Sequence, residues 1–139
     1  MARVSFDVLR RVCAALPGAT RDIKWGADEV YSVGAKMFAV FGVEAGRTTG
    51  MSFKVDDERF LELTDRTGIT PAPYLARAHW VALAPTAAVT PGEARELVLR
   101  SYALVRAKLP RKLREALAPP AMAPRAASAP RPTRRGTGR

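Results

Sequence analysis

Catalysis in this chain would have to draw on one histidine and one cysteine, His79 and Cys13. A Ser-His-acid triad could run only through His79. The alternation Trp80, Val81, Leu83 beside it instead predicts one end of a strand, partly buried, with the imidazole's polar edge bonded. Cys13 recurs with Phe6, Leu9 and Leu16 at helical spacing, which marks a buried structural thiol rather than a nucleophile. A single cysteine excludes an internal disulfide, and one His with one Cys leaves no ordinary zinc site. Asp56-Asp57-Glu58 has carboxylates enough for a metal or an acid/base pair. Consecutive helical positions point in different directions, however, and the macrodipole favours acids at a helix start, so their expected role is structural. Gly42-Val43-Glu44-Ala45-Gly46-Arg47-Thr48-Thr49 resembles a phosphate loop. It is one residue short of G-x-x-x-x-G-K-[ST], carries Arg for Lys, and joins two strands rather than opening a helix. Neither G-x-G-x-x-G, G-x-S-x-G nor H-E-x-x-H occurs. The sequence therefore assigns no catalytic residue, no metal ligand and no cofactor.

What remains is charge. The chain has 139 residues, with 23 Lys+Arg against 13 Asp+Glu and a net charge of +10. That length suits one domain. Residues 118–139 hold five prolines, no acid and Arg125, Arg131, Arg134, Arg135 and Arg139. Such a segment buries too little apolar surface to offset its ordering entropy, so it is expected to be a disordered basic tail. The domain is then 1–117, with 18 basic and 13 acidic side chains. Met37–Val43, the longest apolar stretch, is far short of a membrane span, and the first residues lack a secretory h-region. A cytoplasmic protein without a membrane partner is expected.

Elements follow from periodicity. Ser5 caps a first helix that Pro17-Gly18 ends. Short segments at Arg21–Trp25, Glu29–Val33, Lys36–Gly42 and Met51–Val55 read as strands, with Gly34-Ala35 suited to a type II′ hairpin turn. Asp56-Asp57-Glu58 opens a second helix with Phe60, Leu63 and Thr64 inward, and Gly68 follows its end. An irregular crossing through Pro71, Pro73 and Tyr74 leads to a strand at His79–Ala84. Thr90-Pro91-Gly92-Glu93 is a capping box opening a third helix. Its buried stripe is Ala94, Val98, Ser101, Tyr102, Val105 and Leu109, and Pro110 stops it before a short terminal turn. Successive hairpins imply an antiparallel sheet, with the first and third helices on one face.

Seven pieces in order then become recognisable: Pro17-Gly18, Ile23-Lys24-Trp25-Gly26, Val33–Ala39, Phe53-Lys54-Val55-Asp56, Pro73–Arg77, His79-Trp80-Val81 and Ser101–Pro110. Over roughly residues 5–114 the chain resembles the MmcQ/YjbR family. The resemblance implies an α+β fold of two layers, an antiparallel sheet with helices packed on one face, likened to the secretion-chaperone-like group. It also implies DNA binding, a label resting on likeness of the sheet to a double-wing DNA-binding motif. Many members carry Asn-Lys-x-His-Trp before the last strand; Ala76-Arg77-Ala78-His79-Trp80 keeps the cation and lacks the Asn.

The expected function is a non-enzymatic binding module for the backbone of DNA or another polyanion. Lys36, Lys54, Arg77, Arg106, Lys108, Arg111, Lys112 and Arg114 would converge on one surface, with Tyr74 and Trp80 as aromatic neighbours and the tail adding affinity. Lys54, alternating with Phe53 and Val55, is expected to be exposed. A second reading is an adaptor holding a protein partner in the groove between sheet and helices; an enzyme ranks third.

Overall fold

A computed structural model of the chain describes residues 4–73 and 75–117. Tyr74 and the tail arginines Arg125, Arg131, Arg134, Arg135 and Arg139 lie outside the described residues. The order of elements is α1 (Phe6–Ala15), β1 (Ala19–Lys24), β2 (Asp28–Val33), β3 (Lys36–Glu44), β4 (Arg47–Lys54), α2 (Asp57–Thr64), β5 (Ile69–Pro71), a 3-10 turn (Ala76–Ala78), β6 (Trp80–Leu83), α3 (Pro91–Ala107) and α4 (Arg111–Ala116). The strands form one sheet in the order β1-β2-β3-β4-β6-β5, every neighbouring pair antiparallel.

Apolar alternation decides the faces. Tyr31 and Val33, Phe38 and Phe41, Met51, Phe53 and Val55, and Val81 and Leu83 pack against one face of the helical layer, supplied by Phe6, Leu9 and Cys13 of α1, Leu63 of α2, and Ala94 to Val105 of α3. Edge-to-face contacts of Phe38 with Tyr102 (5.3 Å) and Phe6 with Phe41 (6.4 Å) lock α3 and α1 to the central strand β3. Ser101 is wholly buried among these side chains. Its hydroxyl donates to the Phe38 carbonyl at 2.6 Å and accepts the Lys54 amide at 3.0 Å, joining α3 to two strands. No helix among the described residues is long and apolar enough to cross a membrane.

Besides strand ends, local features differ from the sequence reading. Gly34 and Ala35 both have positive φ (56° and 67°), so the turn is type I′ rather than II′. A Cβ on Gly34 would come within 2.7 Å of the Leu109 methyl groups, so a larger residue there would have to displace that side chain. The crossing at Pro71 contains a strand, β5, which pairs with β6 at the sheet edge; three residues with a proline carry no periodic signal. The capping box is half made: Thr90 accepts the Glu93 amide at 3.1 Å, while the Glu93 carboxylate goes to Arg66 at 2.7 Å. The outer face is not bare. Trp80 is buried there, under Ala72 and beside Val30 and Val40, with Met37, Leu75 and Ala82 around it.

Candidate functional site

The predicted cations fall into two groups. The first gathers where α3 ends. Leu109 is buried against the Gly34 turn, and Pro110 turns the chain into α4. Two arginines close that elbow: Arg106 Nη2 donates to the Arg114 carbonyl at 3.3 Å, and Arg114 Nε donates to the Leu109 carbonyl at 3.1 Å. Helix C-terminal carbonyls are the natural partners for such cations. Arg106 and Arg114 are accordingly half-buried and structural, while Lys108, Arg111 and Lys112 are exposed. Arg111 pairs with Glu115 at 2.7 Å, the one acidic residue between Leu97 and Leu117. Lys36 pairs in register with Val33, whose side chain is in the helix-side core, so Lys36 leaves the sheet on the helix side beside this elbow. Among the described residues Lys36, Lys108 and Lys112 form no ion pair.

Lys54 and Arg77 belong elsewhere. Phe53 and Val55 point into the helix-side core, which sends Lys54 to the outer face opposite Trp80. It is half-buried rather than exposed, because Lys54 Nζ donates to the Ala78 carbonyl at 2.5 Å and caps the turn that covers Trp80. Arg77 is exposed on that same turn. The neighbourhood is of mixed sign: Asp57 holds His79 and Asp56 holds Arg100 through two bonds of 2.8 and 2.9 Å. Hydrogen bonds from Arg100 keep the Asp56 carboxyl below its ordinary range. The eight candidate cations thus do not converge on one surface, and Trp80 is buried rather than presented beside them.

His79 carries more than the sequence suggested. It adopts a left-handed backbone (φ 60°), its Nδ1 lies 2.6 Å from Asp57 Oδ1, and its ring meets Phe60 edge-on at 5.2 Å. Two acids of the run that opens α2, Asp56 and Asp57, are therefore paired with side chains, and Asp56, the N-cap residue, makes no side-chain cap bond. The signal was present as acids and a lone His, but only the fold brings residues 57 and 79 together. Burial pushes the Cys13 thiol up to about 12, far from a nucleophile. Among the described residues no three His, Cys, Asp or Glu side chains gather as a metal site. The phosphate-loop look-alike is a hairpin, with Ala45 and Gly46 at φ 52° and 77° in its turn.

The groove required by an adaptor is not where it was expected. The space between sheet and helices is filled by the core. A shallow hollow of about 380 Å³ opens on the outer face instead, over Gly42, Gly50, Ser52 and Ala82, with Asp28 and Thr70 at its sides. A smaller one of about 250 Å³ lies between α2 and α3, beside Asp56, Arg59, Glu96 and Arg100.

Known proteins resemble this arrangement. The chain is similar to Deinococcus radiodurans protein DR2400, described by the domain DUF419, at 29% identity and a TM-score of 0.71, covering 81% of this chain and 86% of that one. A protein from Pseudomonas syringae shares the fold at 20% identity and a TM-score of 0.51, over 63% of this chain and 86% of that one. None of the curated proteins matches. The profile of the YjbR family matches residues 14–104, from Cys13's helix through most of α3, and the chain belongs to that family.

Proposed function

We propose that the chain binds nucleic-acid backbone through the end of the molecule where the β2–β3 turn meets the α3–α4 elbow. One observation carries this reading: packing of Leu109 on Gly34 sets Lys36 beside Lys108, Arg111 and Lys112, in a stretch with a single acid. Cations that outnumber their acidic neighbours in this way are the electrostatic footprint of a phosphate contact, because each phosphate neutralised releases counterions. The chain continues from Leu117 at this same end into 118–139, whose five arginines would extend the contact. Contacts of Lys36, Lys108, Arg111 and Lys112 with phosphates position a duplex without reading its bases, so affinity should be insensitive to sequence.

Titrating duplex DNA with the full chain at increasing salt tests the reading. Log K should fall linearly with log salt, with a slope of about −0.9 per phosphate contacted. A chain shortened to 1–117 should show a shallower slope and weaker, still salt-dependent binding to every duplex. Absence of binding by 1–117 at low salt would remove the folded domain from the interface and leave the tail alone.

A further inference from the structure

We propose that β1 is the pairing edge of a two-fold dimer, in which two copies of the strand run antiparallel, centred on Ile23, with Asp22 of each copy opposite Lys24 of the other. This inference is independent of nucleic-acid binding.

The sheet has two edges. β5 is three residues long and ends in Pro71, which has no amide to donate. β1 has six residues, and all but Ala19 are exposed. Just past its end Trp25 is 67% exposed, and Ile23 within it is 46% exposed. Trp25 also holds a left-handed backbone at φ 51°, which sets it at the tip of the β1–β2 turn without a partner in the described fold. The Ile23 amide donates to the Asp22 carboxylate of its own strand at 2.8 Å, the geometry of an amide that points outward from the edge. In an antiparallel strand the carbonyl of the same residue points the same way, and Ile23 offers both groups to a new neighbour.

Charges on an edge strand ordinarily keep other strands away. Here their order decides which strand fits. A two-fold axis through an edge pair must be perpendicular to the sheet, which keeps both helical layers on one side and sets each residue opposite one of the same face. Centring on Arg21, Asp22 or Lys24 puts like charges directly across; centring on Ala19 or Thr20 brings Asp22 opposite no cation. Only the register centred on Ile23 sets Asp22 against Lys24 twice, on the outer face, where directly opposed charges of unlike sign stabilise a pair. On the helix side the same register stacks Ile23 on Ile23 and brings the turn that carries Trp25 of one copy towards Arg21 of the other, whose guanidinium pairs with Glu29 at 2.7 Å. The Asp22 carboxylate is released from its own chain's amide as that amide meets the second copy.

Sedimentation of the full chain over a range of concentrations at low salt is the test, read beside acrylamide quenching of tryptophan. Trp80 is buried, so the quenchable signal reports Trp25, and it should become protected as dimer forms. Asp22→Lys and Lys24→Asp should each weaken association by about tenfold, because every attractive pair becomes a repulsive one. The double variant Asp22→Lys with Lys24→Asp should restore it to within a few-fold. Both positions are exposed, and unchanged thermal unfolding would show that the fold persists. A chain that stays monomeric throughout, a dimer indifferent to the single changes, or a double variant that fails to recover would each overturn the proposal.

Discussion

His79 Nδ1 sits 2.6 Å from Asp57 Oδ1, tying the turn at Ala76–Ala78 to the first residue of α2. The same histidine holds a left-handed backbone, a conformation that favours glycine. Two opposite effects therefore meet at one residue. His79→Ala should lose the bond and the Phe60 contact while keeping the strain, costing roughly 1–2 kcal/mol. His79→Gly should cost less than His79→Ala, since relief of the strained φ offsets part of the loss. Urea denaturation of both variants checks the order. Nucleic-acid affinity should stay within a few-fold; loss by orders of magnitude in a folded variant would give His79 a direct role in function.

Ser101 is the buried polar joint of the fold. Ser101→Ala would leave the Phe38 carbonyl and the Lys54 amide without their partner in the core. An unsatisfied buried group costs about 1–3 kcal/mol, and with two at stake a loss near the top of that range is expected. A denaturant midpoint equal to wild type would mean that water or a neighbouring group replaces the hydroxyl.

The helices were legible because each signal is local. Ser5, Thr90 with Pro91, and Pro110 mark ends, and the stripes of α1 and α3 appear as read, with Leu97 joining the latter. The antiparallel sheet followed from its hairpins. Strand ends at Gly42 and Met51 were set too early and too late, because Gly50 and Arg47 to Thr49 interrupt the apolar alternation while the ladder continues through them. Gly50 is there because a Cβ would come within 2.7 Å of the Leu83 carbonyl, a contact between strands distant in sequence. The candidate site divided for the same reason. Lys36 beside the hairpin turn and Lys54 on the polar face of its strand were expected on one surface, yet the bulge beside Phe38 and the pairing of Val33 with Lys36 send them to opposite faces.

Four carboxyls set the acid limit of stability. Asp56 is held low chiefly by its bonds from Arg100, Glu62 by Arg59, and Glu93 by Arg66, while at Glu29 desolvation raises the carboxyl and the bonds from Arg21 and Arg10 outweigh it. A carboxyl held below its unfolded value contributes stability that is present above the unfolded pKa and lost as pH falls through the folded one. Thermal stability should thus be level through neutral pH and decline below about pH 4. Arg66→Met, which removes the bridge between α2 and α3, should flatten the decline. A variant whose acid limb matches wild type would show that these surface pairs contribute nothing measurable.

Cys13 should govern the alkaline side. Its thiol is raised from 9.0 to about 12 by burial, so above pH 9 the unfolded chain ionises while the folded one does not. The folded state then binds more protons, and stability falls as pH rises between those values. Cys13→Ala should remove the part of this slope that begins near pH 9, at the expense of a small cavity, and leave the part due to Tyr31 and Tyr102, whose hydroxyls burial also raises. Thiol reagents at pH 8 should label Cys13 only as fast as the protein opens; rapid labelling of folded protein would contradict its burial.

Charge reversal can locate the nucleic-acid interface because the two groups of cations have different jobs. Lys108 and Lys112 are exposed, so Lys108→Glu and Lys112→Glu should change stability by no more than about 0.5 kcal/mol. Each should make the salt slope of DNA binding shallower by about 1, the loss of one phosphate contact. Lys54→Glu should behave in the opposite way. Its ammonium holds the Ala78 carbonyl over the Trp80 cluster, so reversal should loosen that turn and lower stability by roughly 1 kcal/mol. It should leave the slope unchanged, because Lys54 lies on the outer face near Asp56 and Asp57 rather than at the elbow. Measured together at equal salt, the three variants assign the interface to a face. A slope that responds to Lys54→Glu and ignores Lys112→Glu would move it from the α3–α4 end to the outer face of the sheet, beside Arg77.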